Sequence, residues 1–387
     1  MKRSLLEALL FICILPGLAV SQPELTQTDV FAAGQEGYHT FRIPAIQTAP
    51  DGSLIAVCEA RKYNRSDPGH NDNDIDLVSK RSIDDGKTWS KLRVLDDPGE
   101  RWSACNPAML VDRPNDRLWL FHCRTKPGRS SYTSRPGTDD CQAWARYTAD
   151  NGATWSEPVD ISKVARDVDH WGGSFYGPGG GIQDRNGRLI VPLARTTGRK
   201  NDEGKIVAGR WNAFAIYSDD HGKTWERGEL LPEQDWGDEN QLVELADGRI
   251  LVDVRQDEGP HRWLATSTDG GETWSRPRPG QQVTPVCCAI ERYTLKSAGD
   301  DRNRILWTGP KGPGRSNLVV RVSYDEGEIF TNERTITDQN AAYSDITILK
   351  DNTVGVIWER GVKQGYEFVT FTRFNLEFLE SSRQEQE

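Results

Sequence analysis

Three arginines of the sequence lie next to predicted β-strands and could together bind an anion. Arg42 stands in the stretch Phe-Arg-Ile-Pro. Arg255 follows a predicted strand at 250–254, and Arg315 precedes another at 317–322. A planar guanidinium binds a carboxylate through two hydrogen bonds, so three of them would define a strong anion site. Each alone could equally be a surface arginine, and the prediction therefore depends on a fold that brings these strand ends to one axis.

Phenolic and acidic side chains stand at the ends of other predicted strands. Tyr343 precedes a strand at 346–349, Glu239 precedes one at 242–245, and Glu359 ends a further strand. Carboxyl and phenol groups can transfer protons to and from a substrate. The sequence thus places candidate reactive groups at the same kind of position as the arginines.

A short repeat indicates which elements must position these residues. Its pattern is Ser or Thr, then Asp, Gly, Thr at intervals of two residues, and finally Trp. The Asp and Ser/Thr side chains can bond to nearby backbone N–H groups, and Gly adopts a positive φ without steric cost. We expect the Trp to pack into the core. Four full copies and one degenerate copy begin at Ser82, Thr148, Ser218, Ser267 and Ser323.

The spacing of the copies indicates a repeated all-β unit. They lie about sixty residues apart, as in arrays of supersecondary units. Between them, apolar and polar residues alternate over stretches such as 250–255 and 318–322, which predicts short strands rather than helices. Four-stranded antiparallel sheets arranged radially protect their edges. The sequence therefore predicts a six-bladed β-propeller, with the repeats as scaffold turns.

The first residues have the order of a secretory signal peptide. Lys2 and Arg3 precede an apolar run at 8–18, and small residues follow at 19–21. The run is short for a membrane span, although a retained anchor stays an alternative. We predict a signal peptide at 1–21 and one propeller domain at 22–387. The expected product is a secreted or periplasmic monomer without stable membrane insertion.

Charge and cysteine content narrow the classes of function. The chain has 48 Lys and Arg against 58 Asp and Glu, a formal charge of −10 without a basic stripe, which argues against nucleic-acid binding. Thirteen Trp with abundant Arg and Asp suit a polar, aromatic-lined sugar pocket. Six of the seven cysteines lie beyond residue 21; some could pair, but connectivity cannot be read from sequence. No Cys/His cluster has zinc-site spacing.

Taken together, these motifs resemble the sialidases, a family of glycoside hydrolases also called neuraminidases. The repeat resembles their Asp-box (BNR repeat), and Phe41-Arg-Ile-Pro44 resembles their opening signature. The resemblance covers about 41–379. Asp-boxes alone are shared with non-enzymatic propellers, but their combination with the segment Tyr343-Ser-Asp345 is specific.

The resemblance implies roles for the residues named above. Tyr343 would be the nucleophile and Glu239 its activating base. Glu359 would orient the first of three arginines that bind the carboxylate of sialic acid, namely Arg42, Arg255 and Arg315.

It also implies an aspartic acid/base after the match Glu59-Ala-Arg61, in which Arg61 would contact the sugar. Asp67 in Ser-Asp-Pro-Gly fits this position best, but extra residues follow, so Asp72 stays an alternative. Tyr176 lies in a segment that resembles a substrate loop and is a further candidate sugar contact.

The implied chemistry suits sialic acid, which carries a carboxylate on its anomeric carbon. A carboxylate nucleophile would approach against like charge, whereas a Tyr is neutral until its base takes the proton, and sialidases are this exception among glycosidases. The acid/base would protonate the leaving oxygen and then deprotonate water. In a partly apolar pocket, this acid/base is expected to keep its proton near neutral pH. No metal or organic cofactor is required.

Two other functions remain open at this point. A trans-sialidase would use the same residues and pass the sugar to another glycan. A non-catalytic Asp-box propeller that binds glycans would be expected to lack the arginines, the Tyr or the Glu, all of which are present. The main expectation is a retaining exo-α-sialidase that acts on sialylated glycans.

Overall fold

The computed structural model describes residues 22–197, 199–200, 206–207, 209–233, 236–256 and 259–381. The predicted signal peptide at 1–21 lies outside them. Regular structure in the described residues is almost entirely strand, which confirms the prediction of an all-β chain. The described helices are short, and none of them is long and apolar enough to cross a membrane. They are α1 (Ser162–Ala165), α2 (Leu376–Glu380) and the 3-10 turns Arg113–Asn115 and Lys296–Ala298.

The strands are numbered in chain order. The first thirteen are β1 Leu25–Ala32, β2 Thr40–Thr48, β3 Leu54–Arg61, β4 Ile75–Ser82, β5 Arg93–Asp96, β6 Ser103–Asp112, β7 Arg117–Thr125, β8 Cys141–Thr148, β9 Val159–Asp160, β10 Gly173–Tyr176, β11 Gly179–Gly180, β12 Ile182–Gln183 and β13 Leu189–Thr196. The others are β14 Arg199–Lys200, β15 Ile206–Val207, β16 Trp211–Ser218, β17 Glu226–Arg227, β18 Gly237–Glu244, β19 Ile250–Gln256, β20 His261–Ser267, β21 Arg278–Gln282, β22 Ala289–Thr294, β23 Arg304–Pro310, β24 Ser316–Ser323, β25 Thr331–Ile348, β26 Val354–Gly361 and β27 Phe368–Phe374.

Antiparallel pairing joins these strands into sets that follow chain order. One set runs from β2 to β5, the next from β6 to β9, and a later one from β18 to β21. Between them, β10 and β12 both pair with β13, which continues to β16 and β17. The strands β22, β23 and β24 continue into the first part of β25, whose second part pairs with β26. The last set ends with β27 and β1, where Leu25 pairs with Phe374.

Neighbouring sets cover each other's faces, so several strands are buried on both sides. Strand β19 was predicted from its alternation, yet its polar residue Asp253 is 1% exposed. The Asp253 carboxylate accepts hydrogen bonds from Arg262 Nε at 2.7 Å and from Trp307 Nε1 at 2.8 Å. These two partners satisfy a buried charge that would otherwise be costly.

The repeats form the predicted turns. In the first, Asp84 Oδ1 accepts a hydrogen bond from the Thr88 N–H at 2.9 Å, and Ser82 Oγ accepts one from the Gly86 N–H at 2.9 Å. Gly86 has φ +84°. The aromatic anchors are confirmed in part: Trp225 and Trp274 are 9% exposed, whereas those of the other copies are half-buried.

The six cysteines beyond residue 21 are buried free thiols in the structure. The adjacent Cys287 and Cys288 pack in the core. Disulfide pairing, left open by the sequence, is therefore not found among the described residues.

Candidate active site

Arg42 is held by a buried carboxylate. Its Nε and Nη2 atoms donate to the two oxygens of Glu359 at 2.7 and 3.2 Å. Glu359 Oε1 also accepts the N–H of Ile43 at 2.8 Å. Ile43 has φ +54°, an unfavourable conformation for a β-branched residue. Glu359 is 1% exposed, so this bidentate ion pair is desolvated and fixes the direction of the guanidinium.

Three of the strands that carry site residues are interrupted by a β-bulge. The register of β2 shifts just after Arg42, that of β18 around Glu239, and that of β25 around Tyr343. A bulge bends its strand and changes the direction of the side chains beside it. The bulges therefore direct these three side chains away from the regular sheet.

Tyr343 shares a compact network with an acid and an arginine. Its hydroxyl lies 2.6 and 2.7 Å from the two oxygens of Glu239. Arg255 Nη1 is 2.9 Å from the same hydroxyl and 2.6 Å from Glu239 Oε2. Burial, followed by the charge of Glu239, raises the pKa of Tyr343 well above its usual value, against the opposing effect of the arginines. The phenol is thus neutral and in contact with a proton acceptor.

The other two predicted arginines border the same ring. The guanidinium carbons of Arg42 and Arg315 lie 5.3 and 5.5 Å from the centre of the Tyr343 ring. Arg315 Nη1 donates to the hydroxyl of Tyr366 at 2.7 Å, and the Tyr366 ring lies 4.0 Å from the Arg42 guanidinium. The structure thus brings all three arginines, from three different strand sets, around one phenol.

Asp67 and Tyr343 line the same cavity. Asp67 Oδ1 accepts a hydrogen bond from Arg61 Nη1 at 2.9 Å and lies 3.7 Å from Arg42 Nη1. Its side chain is 61% exposed and can be reached by a substrate.

The charges around Asp67 contradict one expectation. Partial desolvation raises the pKa of Asp67, but the guanidinium charges of Arg61 and Arg42 outweigh it and hold the pKa below its usual value. The expectation of an acid that keeps its proton in an apolar pocket is therefore wrong for Asp67 in this structure. Asp67 is an anion here.

The alternative Asp72 lies outside the cavity. Its side chain is 80% exposed and pairs with Arg101 at 3.7 Å. It is absent from the residues that line the cavity around Tyr343. Of the two aspartates, Asp67 has the position that an acid/base needs.

The structure corrects the expectation for Tyr176. Its side chain is 0% exposed and packs in the core, with its ring centre 5.6 Å from that of Phe121. Phe175, its neighbour, lines the cavity instead. Successive side chains of a strand point to opposite faces, so an error of one position exchanges cavity for core.

Arg61 lines the cavity but is 1% exposed. Its Nε and Nη2 atoms donate to Glu59 Oε2 at 3.0 and 2.6 Å, and its Nη1 donates to Asp67 and to the Arg65 carbonyl. Only this small exposed part of the Arg61 side chain is available for the predicted contact with the sugar.

Sequence reasoning missed the contribution of several residues to the site. Glu59 was part of the motif match with Arg61 but received no role, although the two lie two positions apart in β3 and therefore on one face. Tyr366 lies in the loop after the strand of Glu359, and Tyr132 lines the cavity from a loop. Nothing in the local sequence marks these two tyrosines.

Two other features lie apart from this site. Among the described residues, the carboxylates of Asp74, Asp76 and Asp97 are close enough to hold a cation. The ammonium of Lys62 lies 2.9, 3.0 and 3.6 Å from them and takes that position. A cleft of about 900 Å³ beside α1 contains none of the predicted site residues, so size alone would mislocate the site.

Comparisons with known proteins agree with the fold and the repeats. A model of the BNR repeat-like domain family matches residues 45–356. A sialidase of Micromonospora viridifaciens is 32% identical over 376 residues, which cover 92% of this chain and 55% of that protein. A sialidase of Bacteroides fragilis is 27% identical over 350 residues, with coverages of 85% and 62%. The chain thus spans little more than half the length of these relatives.

A solved structure has the same fold. The Hadza microbial sialidase Hz136 superposes with a TM-score of 0.79 at 23% identity, over 91% of this chain and 68% of that one. The class defined by fold and repeats is therefore that of the all-β proteins with BNR repeats. Within this class, the chain belongs to the sialidase family.

Proposed function

We propose that this protein is a retaining exo-α-sialidase, built as a six-bladed β-propeller, that releases terminal α-linked sialic acids from glycoproteins, glycolipids or oligosaccharides. The observation that carries the proposal is the Tyr343 hydroxyl, held within 2.9 Å of both Glu239 and Arg255. The six successive antiparallel sets support the blade count, with β25 shared by the last two and β1 completing the last.

Substrate binding begins at the arginines. The carboxylate of the sialic acid is bound by the guanidinium groups of Arg42, Arg255 and Arg315, which surround the phenol. This contact sets the anomeric carbon beside the Tyr343 oxygen. The substrate carboxylate also brings negative charge next to Arg42. It offsets the positive charge that lowers the pKa of Asp67, and so it raises that pKa. Binding therefore favours the protonated Asp67 that the next step needs.

The first chemical step transfers the sugar to the enzyme. Tyr343 Oη bonds to the anomeric carbon while its proton passes to Glu239. The bond from that carbon to the leaving oxygen breaks, and Asp67 gives its proton to that oxygen. Arg255, which donates to the phenol oxygen, stabilises the negative charge that develops there.

The second step releases the product. Water attacks the anomeric carbon, and Asp67 takes a proton from it. The bond to Tyr343 breaks, and Glu239 returns its proton to the phenol oxygen. Two displacements at one carbon retain its configuration.

The experiment measures release of methylumbelliferone from its α-sialoside by wild type and Tyr343→Phe. We expect release by wild type and at least about a 100-fold loss in the variant. Tyr38→Phe is the matched control, because Tyr38 is another buried tyrosine bonded to a carboxylate, at 2.7 Å from Asp76, and it does not line the cavity.

The outcomes separate fold, mechanism and reaction. A folded but inactive wild type would reject the proposed sialidase activity. Full activity in Tyr343→Phe would reject Tyr343 as the nucleophile but not the reaction itself. Lactose added as acceptor distinguishes transfer from hydrolysis, since a trans-sialidase would form sialyllactose in place of free sialic acid.

We propose in addition that the chain is exported after removal of residues 1–21 and acts as a monomer. The order of basic, apolar and small residues in that segment supports export. Mass spectrometry of the protein recovered outside its host cell would locate the first residue.

A further inference from the structure

Asp345 joins strands from different sets immediately beside the site. It lies two residues after Tyr343 in β25 and is 3% exposed. Its Oδ2 atom accepts the N–H of Ile46 in β2 at 2.8 Å. Its Oδ1 atom accepts Gln241 Nε2 of β18 at 3.0 Å. One carboxylate therefore connects three strands that do not pair with one another in the described sheets.

Gln241 extends this connection and is held in a single orientation. It lies two residues after Glu239 and is 3% exposed. Its Nε2 atom also donates to the Pro178 carbonyl at 2.8 Å, and its Oε1 atom accepts the N–H of Ile290 at 3.1 Å. Reversal of the amide would oppose donor to donor at Ile290 and acceptor to acceptor at Asp345.

The pair lies directly behind the three bulges. Regular pairing resumes in β2 at Ala45, in β18 at Asn240 and in β25 at Ser344. The residues in the bulges are not fixed by the backbone ladder, and they belong to separate sets. The side chains of Asp345 and Gln241 supply the direct link between these strands at the level where the site residues emerge.

The space around the pair is filled. Gly179 has φ +108°, and a Cβ atom there would lie 1.9 Å from Gln241 Nε2 and 2.6 Å from Asp345 Oδ1. A glycine is required for the backbone to approach this closely. The two polar side chains therefore have no room to rearrange.

We propose that Asp345 and Gln241 form a positioning pair for the reaction, which sets the distances between Tyr343, Glu239 and Arg42. This inference rests on the proposed function, because the three positioned groups are its nucleophile, its base and part of its carboxylate clamp. A displacement of about 1 Å in such a constellation lowers the rate about 100-fold. Neither residue lines the cavity around Tyr343.

The first variant is Asp345→Asn, which keeps the side-chain size. Its NH₂ group must face either the Ile46 N–H or the Gln241 amide donor, so one link is replaced by a donor–donor contact. We expect kcat on the methylumbelliferyl α-sialoside to fall at least tenfold in the folded variant, with a smaller change in KM.

A matched control lies on the same two strands. Thr347 Oγ1 accepts the N–H of Thr48 at 2.9 Å, so it links β25 to β2 as Asp345 does, but two residues further from Tyr343. Thr347→Val removes this link at constant shape. We expect a comparable decrease in the unfolding temperature and kcat within about twofold of wild type. Equal kcat losses in the two variants would overturn the proposal.

A double variant separates geometry from charge. In Asp345→Asn with Gln241→Glu, the amide and the carboxylate change places, and the bonds to Ile46 and Ile290 and between the two side chains can all form again. The bond to the Pro178 carbonyl is replaced by a contact between two acceptors, so the recovery is limited. A positioning pair is expected to recover part of kcat relative to Asp345→Asn. No recovery would show that the charge at position 345 matters, which contradicts the proposal.

Crystal structures of wild type and Asp345→Asn test the pair without reference to activity. The expected result is a change in the distance from Tyr343 Oη to Glu239, 2.6 Å here, or from Arg42 to the Tyr343 ring. Unchanged distances would overturn the inference. An inactive wild type with a displaced Tyr343 in the variant would reject the proposed reaction and keep the positioning pair.

Discussion

In the five Asp-box turns, the defining hydrogen bonds join residues two to four positions apart, as from Thr88 to Asp84. In the candidate site they join residues 104 positions apart, from Tyr343 to Glu239, or 317 apart, from Arg42 to Glu359. Each turn is a local unit that contains its own hydrogen-bond partners. The site forms only when separate strand sets pack together. Loss of one of its contacts is therefore expected to displace residues from several sets.

The degenerate fifth turn shows how tolerant the local unit is. Ile329 replaces the Thr of the other copies, so the hydroxyl bond to the Asp is missing. Asp325 still accepts the Ile329 N–H at 2.9 Å, and Ser323 still accepts the Gly327 N–H at 2.8 Å. The turn persists with one bond fewer. The site has no comparable redundancy, because each of its charged groups serves several partners.

The largest effect is expected from two aspartates in the loop between β3 and β4, only one of which lines the cavity. Asp67→Asn removes the proton donor, and we expect kcat/KM for sialyllactose to fall at least about 100-fold. Asp72→Asn changes an exposed carboxylate outside the cavity and should leave the rate within about twofold of wild type. The measurement is sialic acid release by the two purified variants. A reversed order would assign the acid/base role to Asp72.

An intermediate effect is expected from the ion pair that links the two ends of the described chain. Glu359→Gln leaves the buried Arg42 without its counter-charge, which should cost about 3 kcal/mol of unfolding free energy. It should also raise KM at least tenfold, because the guanidinium loses its direction. Asp219→Asn breaks a partly exposed pair with Arg188, which keeps Glu272 as a partner, and serves as control with an expected cost below about 1 kcal/mol. Denaturant unfolding and steady-state kinetics test both.

The smallest effect is expected in a turn. Asp220→Ala removes the bonds that its carboxylate accepts from the N–H and hydroxyl of Thr224, at 2.8 and 2.6 Å. We expect a loss of about 1 to 2 kcal/mol in unfolding free energy, with kcat and KM unchanged. A decrease in kcat beyond the unfolded fraction would break the comparison, since it would couple a local turn to the site.

Residues differ in how far their structure could be predicted from sequence. The turns could be predicted because each carries its own hydrogen-bond partners. The strand-end positions of Arg42, Arg255 and Arg315 were also visible, and their roles came from the resemblance to sialidases. Tyr176 was misplaced because one step along a strand changes its face.

The remaining residues could not be predicted for a different reason. Asp345 and Gln241 are ordinary polar residues in sequence, and their importance follows from partners in other strand sets, such as Ile46. Tyr366 meets Arg42 and Arg315 only through the packing of a loop. Contacts of this range depend on the whole topology, which local patterns do not contain.

The pairing of β1 with β27 has a consequence for how the chain is made. Residues 25–32 are synthesised more than 300 residues before their partners at 368–374. At typical translation rates the wait is roughly tens of seconds. During that time the nascent chain presents β1 as an unpaired strand, and the final sheet, with Glu359 in β26, stays incomplete. An unpaired strand edge is prone to aggregation, so this interval is the time when the chain most needs protection.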